Sequence, residues 1–411
     1  MRKIVLILLA SFFALALQVA THVFVKRDNA YVREGPGSFY PLVVVLQHGN
    51  GVDRIDASGN WYKVRLKDQR TGWLAANCLA DKEPQGEVIE NVSKSWSSAR
   101  ASMTGLAAAI KGFASKYGKG EPGKIDDVFR CAVKGFTSDD VAEFNAPIAS
   151  FNSKNRGRMQ IDDLDLEQPD YDPSFEEQGV GVGIAARLIS KGVVADPQLT
   201  RYVNLIAATI AQNSKIYDWD FTVFVLDDSS INGFACPGGY VFITYGALKA
   251  CDDESMLAAI IAHEMAHVIR RHGLQEMTKR LVDIKADVAF GELEEETQEN
   301  SEVDQEMETM CENSYEIVVH KRLLDYELEA DKISAILCAN AGYDPNGIVR
   351  MDAKVAEQLR TDPDIFGDDF SMQKTPSERV DPITSFVGKK FSQSNPGVRM
   401  KERFDSQVSG K

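Results

Sequence analysis

The sequence predicts two folded units of different class, a small all-β module followed by a larger domain of mixed α and β structure. Three observations carry this. Between Thr21 and Glu83, short apolar runs such as "LVVVL" and "WYKVRL" alternate with the turn clusters "REGPGS", "HGNG" and "DASGN". From Glu176 onward, "LTRYVNLIAATIAQNS" sets Val203, Ile206 and Ile210 on one helical face, close to the strand-like runs "DFTVFVL" and "GYVFITYGAL". Finally, "AAIIAHEMAHVIRRHG" is apolar almost all round yet carries His, Glu and His in its interior. A chain of 411 residues has room for two or three such units.

Taken in order, residues 1–20 read as a signal peptide. Arg2 and Lys3 form a positive start, Ile4 to Leu17 an apolar core too short to span a bilayer, and Ala14-Leu15-Ala16 a cleavage site. No cysteine follows that would take a lipid, so the chain is expected to be exported, periplasmic or secreted, and not integral to a membrane. Residues 21–83 are the β module. Residues 84–175 form a linker with some helix: "SSARASMTGLAAAIKGFASKYG" is helix-like, "GKGEPGK" breaks it, and "IDDLDLEQPDYDPSFEEQ" reads as an exposed acidic connector. Residues 176–390 are the mixed domain, with "SSINGFACPGG" as a Gly-rich loop between its two strands, and 391–411 are a tail. A net charge of −15 excludes nucleic acid as the main partner. Export would permit disulfides among Cys78, Cys131, Cys236, Cys251, Cys311 and Cys338, whose spacings form no C-x-x-C metal pattern.

The chemistry gathers on two segments. Asp252 or Asp253 can cap a helix that begins near Ser255 and that Gly273 can end. Unpaired polar groups are costly inside a buried helix, so its histidines need a reason. His263 and His267 lie four apart on one face, which suits two imidazoles on one zinc ion, with Glu264 one step round as a proton acceptor. His272, five residues past His267, falls about 140° round a continuing helix, which leaves it exposed or behind a ligand. The remaining ligand is sought in "LLDYELEADKISAILCANAGYDP", a helix with Gly342 and Pro345 as its stop. Glu327 and Asp331 share one face and Glu329 points away. One carboxylate can bind the metal while the other steadies a ligand histidine.

Two resemblances follow from these residues. "AYVREGPGSFYPLVVVLQHGNGV", "GNWYKVRL" and "TGWLAANCL" resemble a bacterial SH3-like domain, which implies a small barrel and a peptidoglycan or peptide ligand. Trp61 and Trp73 can serve there as core or as binding face. "YVNLIAATIA", "VLDDSSINGFACPGGYVFIT", "LAAIIAHEMAHVIRRHG" and "YELEADKISAILCANAGYDP" together resemble the HtpX-like and CAAX-prenyl-protease-type zinc metallopeptidases, in particular their exported bacterial members. That resemblance implies an α+β zincin-like domain with one zinc ion on His263, His267 and Glu327. It makes Glu264 the general base and Asp331 the carboxylate behind a ligand. The strand Tyr240 to Thr244, with Tyr240, Val241 and Phe242, would form the cleft rim and accept a substrate peptide as an added β-strand, and Asn232 would touch that peptide.

Family members commonly carry a histidine-proline pair followed by arginine near the C-terminal end. Here the stretch reads "MQKTPSERV", with no histidine after His320, and Arg379 matches the arginine expected to stabilise developing charge. Cys236 stands where the family has a small or hydroxyl residue, and a disulfide or packing role is expected of it. The segment 291–312 holds ten acidic residues and no Lys or Arg, and reads as a solvated helix or flap. The resemblance implies an endopeptidase acting on misfolded or mis-assembled envelope proteins. Two other readings remain: a zinc-containing chaperone or scaffold with little proteolysis, and a cell-wall-binding factor that works through the SH3-like module.

Overall fold

The computed structural model describes residues 21–27, 29–84, 110–152 (except 113, 117 and 118), 175–272, 311–318 (except 313, 316 and 317), 324–362, 365, 375–391 and 397–408. The expected signal peptide and residues 291–310 of the acidic segment lie outside them. No helix among the described residues is long and apolar enough to cross a membrane.

The N-terminal module is one bent sheet of seven short strands: β1 (Thr21–Val25), β2 (Ala30–Arg33), β3 (Leu42–Leu46), β4 (Gly51–Ser58), β5 (Trp61–Arg65), β6 (Thr71–Ala75) and β7 (Leu79–Ala80). Their order is β3-β2-β6-β5-β4-β1-β7, every pairing antiparallel. The long β4 serves both halves, pairing with β5 and β1, and an irregularity between Arg54 and Asp56 lets it bend between them. Val23, Val25, Val32, Val52, Val64 and Leu74 fill the inside. Trp61 joins that core and meets the Tyr217 ring of the following domain edge-on at 6.0 Å, so it is a packing residue and not a binding face. Arg27 pairs with Asp218 at 2.6 Å, and the Asn77 amide donates to the Tyr217 hydroxyl at 3.2 Å. These contacts fix the module to its neighbour.

The stretch expected as a linker contributes two helices, α1 (Pro122–Ala132) and α2 (Ser138–Asn152). Ile125, Val128 and Ile148 are buried in the main core, so this part is built into the domain. Then come α3 (Phe175–Ser190), α4 (Pro197–Gln212), β8 (Thr222–Leu226), β9 (Gly233–Cys236) and β10 (Tyr240–Thr244). Asp196 caps α4 by accepting from the amides of Gln198 and Leu199, with Pro197 at the first helical position. The Gly-rich segment is thus not all loop, since four of its residues form β9. After α5 (Tyr245–Ala250), the helices α6 (Glu254–Ile269) and α7 (Leu324–Ala341) pack side by side. Ala259, Ala262, Ala266 and Ala330 of these helices are buried, and the Ser334 hydroxyl of α7 donates to the Ala259 carbonyl of α6 at 2.7 Å. Helices α8 (Asn346–Thr361) and α9 (Thr375–Lys390) back this pair. The expected tail forms α10 (Lys401–Val408), whose Phe404 and Val408 are buried. None of the six cysteines is joined in a disulfide, and burial pushes the Cys236 thiol well up, leaving it an inert packing group.

Candidate metal centre

Asp253 caps α6 by accepting from the Met256 amide at 3.1 Å. Every residue of α6 is buried, as its all-round apolarity demands. The helix stops at Ile269, four residues before Gly273, because Arg271 takes the left-handed conformation (φ +54°). The Arg271 amide donates to the Val268 carbonyl at 3.0 Å and the His272 amide to that of His267 at 3.1 Å. That bond pair is a Schellman ending, which turns the chain back over the last helical turn. Arg271 and His272 therefore follow the helix and are not part of its last turn.

His263, His267 and Glu327 converge from α6 and α7. Their ligand atoms all lie within 4.8 Å of one another, and all three residues are buried. The two Nε2 atoms are 3.0 Å apart, and the Glu327 carboxylate oxygens stand 3.3 Å from each. Tetrahedral zinc with bonds of about 2.0–2.1 Å requires ligand separations near 3.3–3.4 Å, so the donor set fits that ion. On the far side of His263, Nδ1 faces Asp331 Oδ1 at 2.9 Å, where the sequence expected a steadying carboxylate. Burial works against a charged His263, but its bonds to Asp331 and Glu327 outweigh it and lift the ring to about 9. Burial pushes His267 down to about 4, which leaves its ring neutral. A metal ion entering here competes with the proton on His263.

Arg379, on α9, expected to stabilise developing charge, lies among carboxylates of α7 and α8. It is buried, its Nε and Nη2 grip both Asp331 oxygens at 2.9 and 2.5 Å, and its Nη1 reaches Glu327 at 3.1 Å. Burial alone would raise Asp331, yet the guanidinium and His263 hold its carboxyl below the ordinary range. Nη2 also touches Asp352 of α8 at 3.1 Å. Burial pushes Asp352 up to about 8 against the opposing pull of Arg379, with Asp331 adding to the rise. Sequence reasoning missed Asp352, because a lone acid in "VRMDAKV" looks like any solvated helix position.

Glu264 is buried beside β9. A Cβ placed on Gly233 would lie 2.5 Å from Glu264 Oε1, so glycine at 233 makes room for that carboxylate. This role was hidden in what the sequence offered as a loop. Asn232, just before it, accepts from the Gly233 amide at 2.8 Å through Oδ1, and its buried Nδ2 has no partner among the described residues. Strand β10 cannot take an added peptide strand, since the sheet order β8-β10-β9 gives it a neighbour on both sides. Val241 and Phe242 are fully buried, with Phe242 stacked on Phe224 at 4.8 Å. The strand beside Glu264 is β9, which pairs with β10 alone among the described residues.

Comparison with known proteins agrees with this geometry. Residues 197–396 match Peptidase family M48, and residues 28–80 match the bacterial SH3 domain. The putative beta-barrel assembly-enhancing protease of Vibrio cholerae is 29% identical over 171 residues, 41% of this chain and 35% of that protein. The beta-barrel assembly-enhancing protease of Escherichia coli is 34% identical over 83 residues, 20% of this chain and 17% of that protein. The mitochondrial metalloendopeptidase OMA1 of Schizosaccharomyces pombe is 31% identical over 159 residues, 38% and 44% of the two chains. The chain thus spans less than half the length of each of these relatives. Residues 197–396, which include the α6–α7 pair, thus form a domain of peptidase family M48, with a bacterial SH3 domain at residues 28–80 in front of it.

Proposed function

We propose that the chain is an exported zinc metalloendopeptidase that cleaves envelope proteins which have failed to fold or assemble. The observation that carries this is the buried His263–His267–Glu327 cluster with Glu264 beside it. His263, His267 and Glu327 would hold one zinc ion. Bound there, zinc supplies Lewis acidity that polarises a peptide carbonyl and lets water lose a proton near neutral pH. Glu264 takes that proton and delivers it to the leaving amine, and its burial keeps the carboxylate close to the reacting atoms. Arg379 and Asp331 fix the angle of Glu327 and the ring of His263. A substrate peptide lies along β9, where the Asn232 amide group is positioned to donate to its backbone. Two of the relatives are named for β-barrel assembly, which supports envelope proteins as the substrate class. The SH3 module takes a peptide or peptidoglycan ligand. A groove between it and the peptidase domain, lined by Tyr31, Tyr40, Phe129, Trp219 and Tyr240, supports that part of the reading.

The test is zinc content and casein cleavage for the chain and for Glu264→Gln. Both forms should bind one zinc, and the variant should lose about 10²–10⁴-fold in rate. Equal cleavage by the two forms overturns the role of Glu264. Client binding without cleavage by either form favours a chaperone instead.

A further inference from the structure

We propose that His272 is a positioning residue that fixes His267 in its metal-binding orientation, as the middle member of a chain running from Glu329 through His272 to His267. This rests on the zinc reading above. It concerns a residue that lies outside the three ligands.

The geometry is specific. His272 Nδ1 lies 2.8 Å from His267 Nδ1, and His272 Nε2 lies 3.2 Å from Glu329 Oε2. The Schellman turn makes this contact: His267 is its third residue from the helix end and His272 its second beyond, the two positions whose side chains commonly meet in that motif. The His272 ring is buried and stacks on Tyr326, with centroids 4.3 Å apart and planes 8° from parallel. Glu329 is in turn held by Arg270 Nε at 2.6 Å. The Tyr326 ring, the His267 ring and a carboxylate that Arg270 fixes in turn thus hold one imidazole still.

Only one arrangement of hydrogens satisfies every contact once His267 Nε2 offers its lone pair to a metal. His267 then carries its hydrogen on Nδ1 and donates it to His272 Nδ1. His272 must therefore carry its own hydrogen on Nε2, and it donates that one to Glu329. His263 is held by a carboxylate directly, whereas His267 is held by a carboxylate at one imidazole's remove. Histidine at 272 is needed because it both accepts and donates at the two ends of one rigid ring.

The test uses the full chain, with zinc affinity measured by competition against a chelating dye. His272→Phe keeps a ring against Tyr326 but has no acceptor, and should bind zinc about 10–100-fold more weakly. His272→Asn restores an acceptor near the Nδ1 position and should recover most of that loss. In the zinc-loaded wild-type chain, the nitrogen-15 NMR signature of His272 should report hydrogen on Nε2 alone. Unchanged zinc affinity in His272→Phe, an equal fall in both variants, or hydrogen on His272 Nδ1 would each overturn the proposal. If the wild-type chain binds no zinc, the metal reading itself fails. If it binds zinc and His272→Phe binds equally well, only the role of His272 fails.

Discussion

Two buried acidic clusters lie at helix α6 or on the helices packed against it, and their difference shows which one is a site. At the first residue of α6, Glu254 is fully buried and accepts hydrogen bonds from Tyr202 at 2.9 Å, Tyr343 at 2.7 Å and the Arg403 guanidinium. Burial and the Glu254 charge push both tyrosine hydroxyls well above their ordinary range, so they stay protonated as donors. One acid meets one cation and two neutral donors, and the account closes. Near the other end, Glu327, Asp331 and Asp352 surround the single guanidinium of Arg379. Fully ionised, three carboxylates against one guanidinium would leave two negative charges, the charge of one divalent ion; without that ion the cluster holds protons instead, on His263 and Asp352. A buried charge without a partner costs several kcal/mol, so an unbalanced cluster is kept for what it binds.

The largest expected effect breaks the balanced cluster. Arg403→Ala removes the cation that faces the buried Glu254, and should cost about 3–5 kcal/mol of stability, read from urea midpoints. Zinc affinity, extrapolated to the folded form, should not change. A small loss would mean that the two tyrosines suffice and that the contrast between the clusters is overstated. Next comes metal removal. At a free zinc concentration of about 100–1,000 Kd, the folded chain should gain about 2.7–4.1 kcal/mol by linkage, lost on adding a chelator. Glu327→Gln should show little of that difference. If chelation leaves the wild-type melting curve in place, the unbalanced cluster is not a cation site. Gly233→Ala addresses the base instead of the ligands. Crowding of Glu264 should lower kcat about 10–100-fold, close to 1.4–2.7 kcal/mol of barrier, with zinc content unchanged.

The contrast also explains what was legible in the sequence. His263, Glu264 and His267, and separately Glu327 and Asp331, could be placed on their helix faces because both helices announce themselves by period and stop signals, and a helix fixes the relative angle of residues four apart; that the two faces share one metal was what the family resemblance implied. His272 could not be placed by angle, because the 140° argument assumed a helix that continues to Gly273. The chain instead turns back at Arg271, a residue with no sequence signal for a left-handed conformation. Strand β9 is four residues with a glycine at its start, too short for an alternating pattern. The C-terminal helix looked like a tail because its hold on the fold depends on Arg403 finding Glu254, 149 positions earlier, which no local pattern records. Arg379 was found by motif, but nothing in "TPSERV" tells that three acids from other helices surround it.

The smallest expected effect tests how the unbalanced cluster copes without its ion. Asp352 stands 3.1 Å from Arg379, and burial raises it to about 8 from an ordinary value of 3.8. In metal-free protein the folded state therefore keeps a proton there that the unfolded chain has already lost. The stability that this proton contributes is fully present below about pH 4, falls as pH rises, and is gone above about pH 8. Asp352→Asn is neutral throughout and escapes the loss. The difference in unfolding free energy, variant minus wild type, should therefore grow by at least ~1 kcal/mol between pH 5 and pH 8, less than the full span implies because Arg379 partly stabilises the ionised form. With zinc bound the same titration should flatten, because the added positive charge favours an ionised Asp352 in the folded state. A difference that stays constant with pH in the metal-free chain would mean that Asp352 is ionised at pH 5. The metal-free cluster would then tolerate excess negative charge without taking up a proton at Asp352, and the balance argument for a divalent cation would lose its footing.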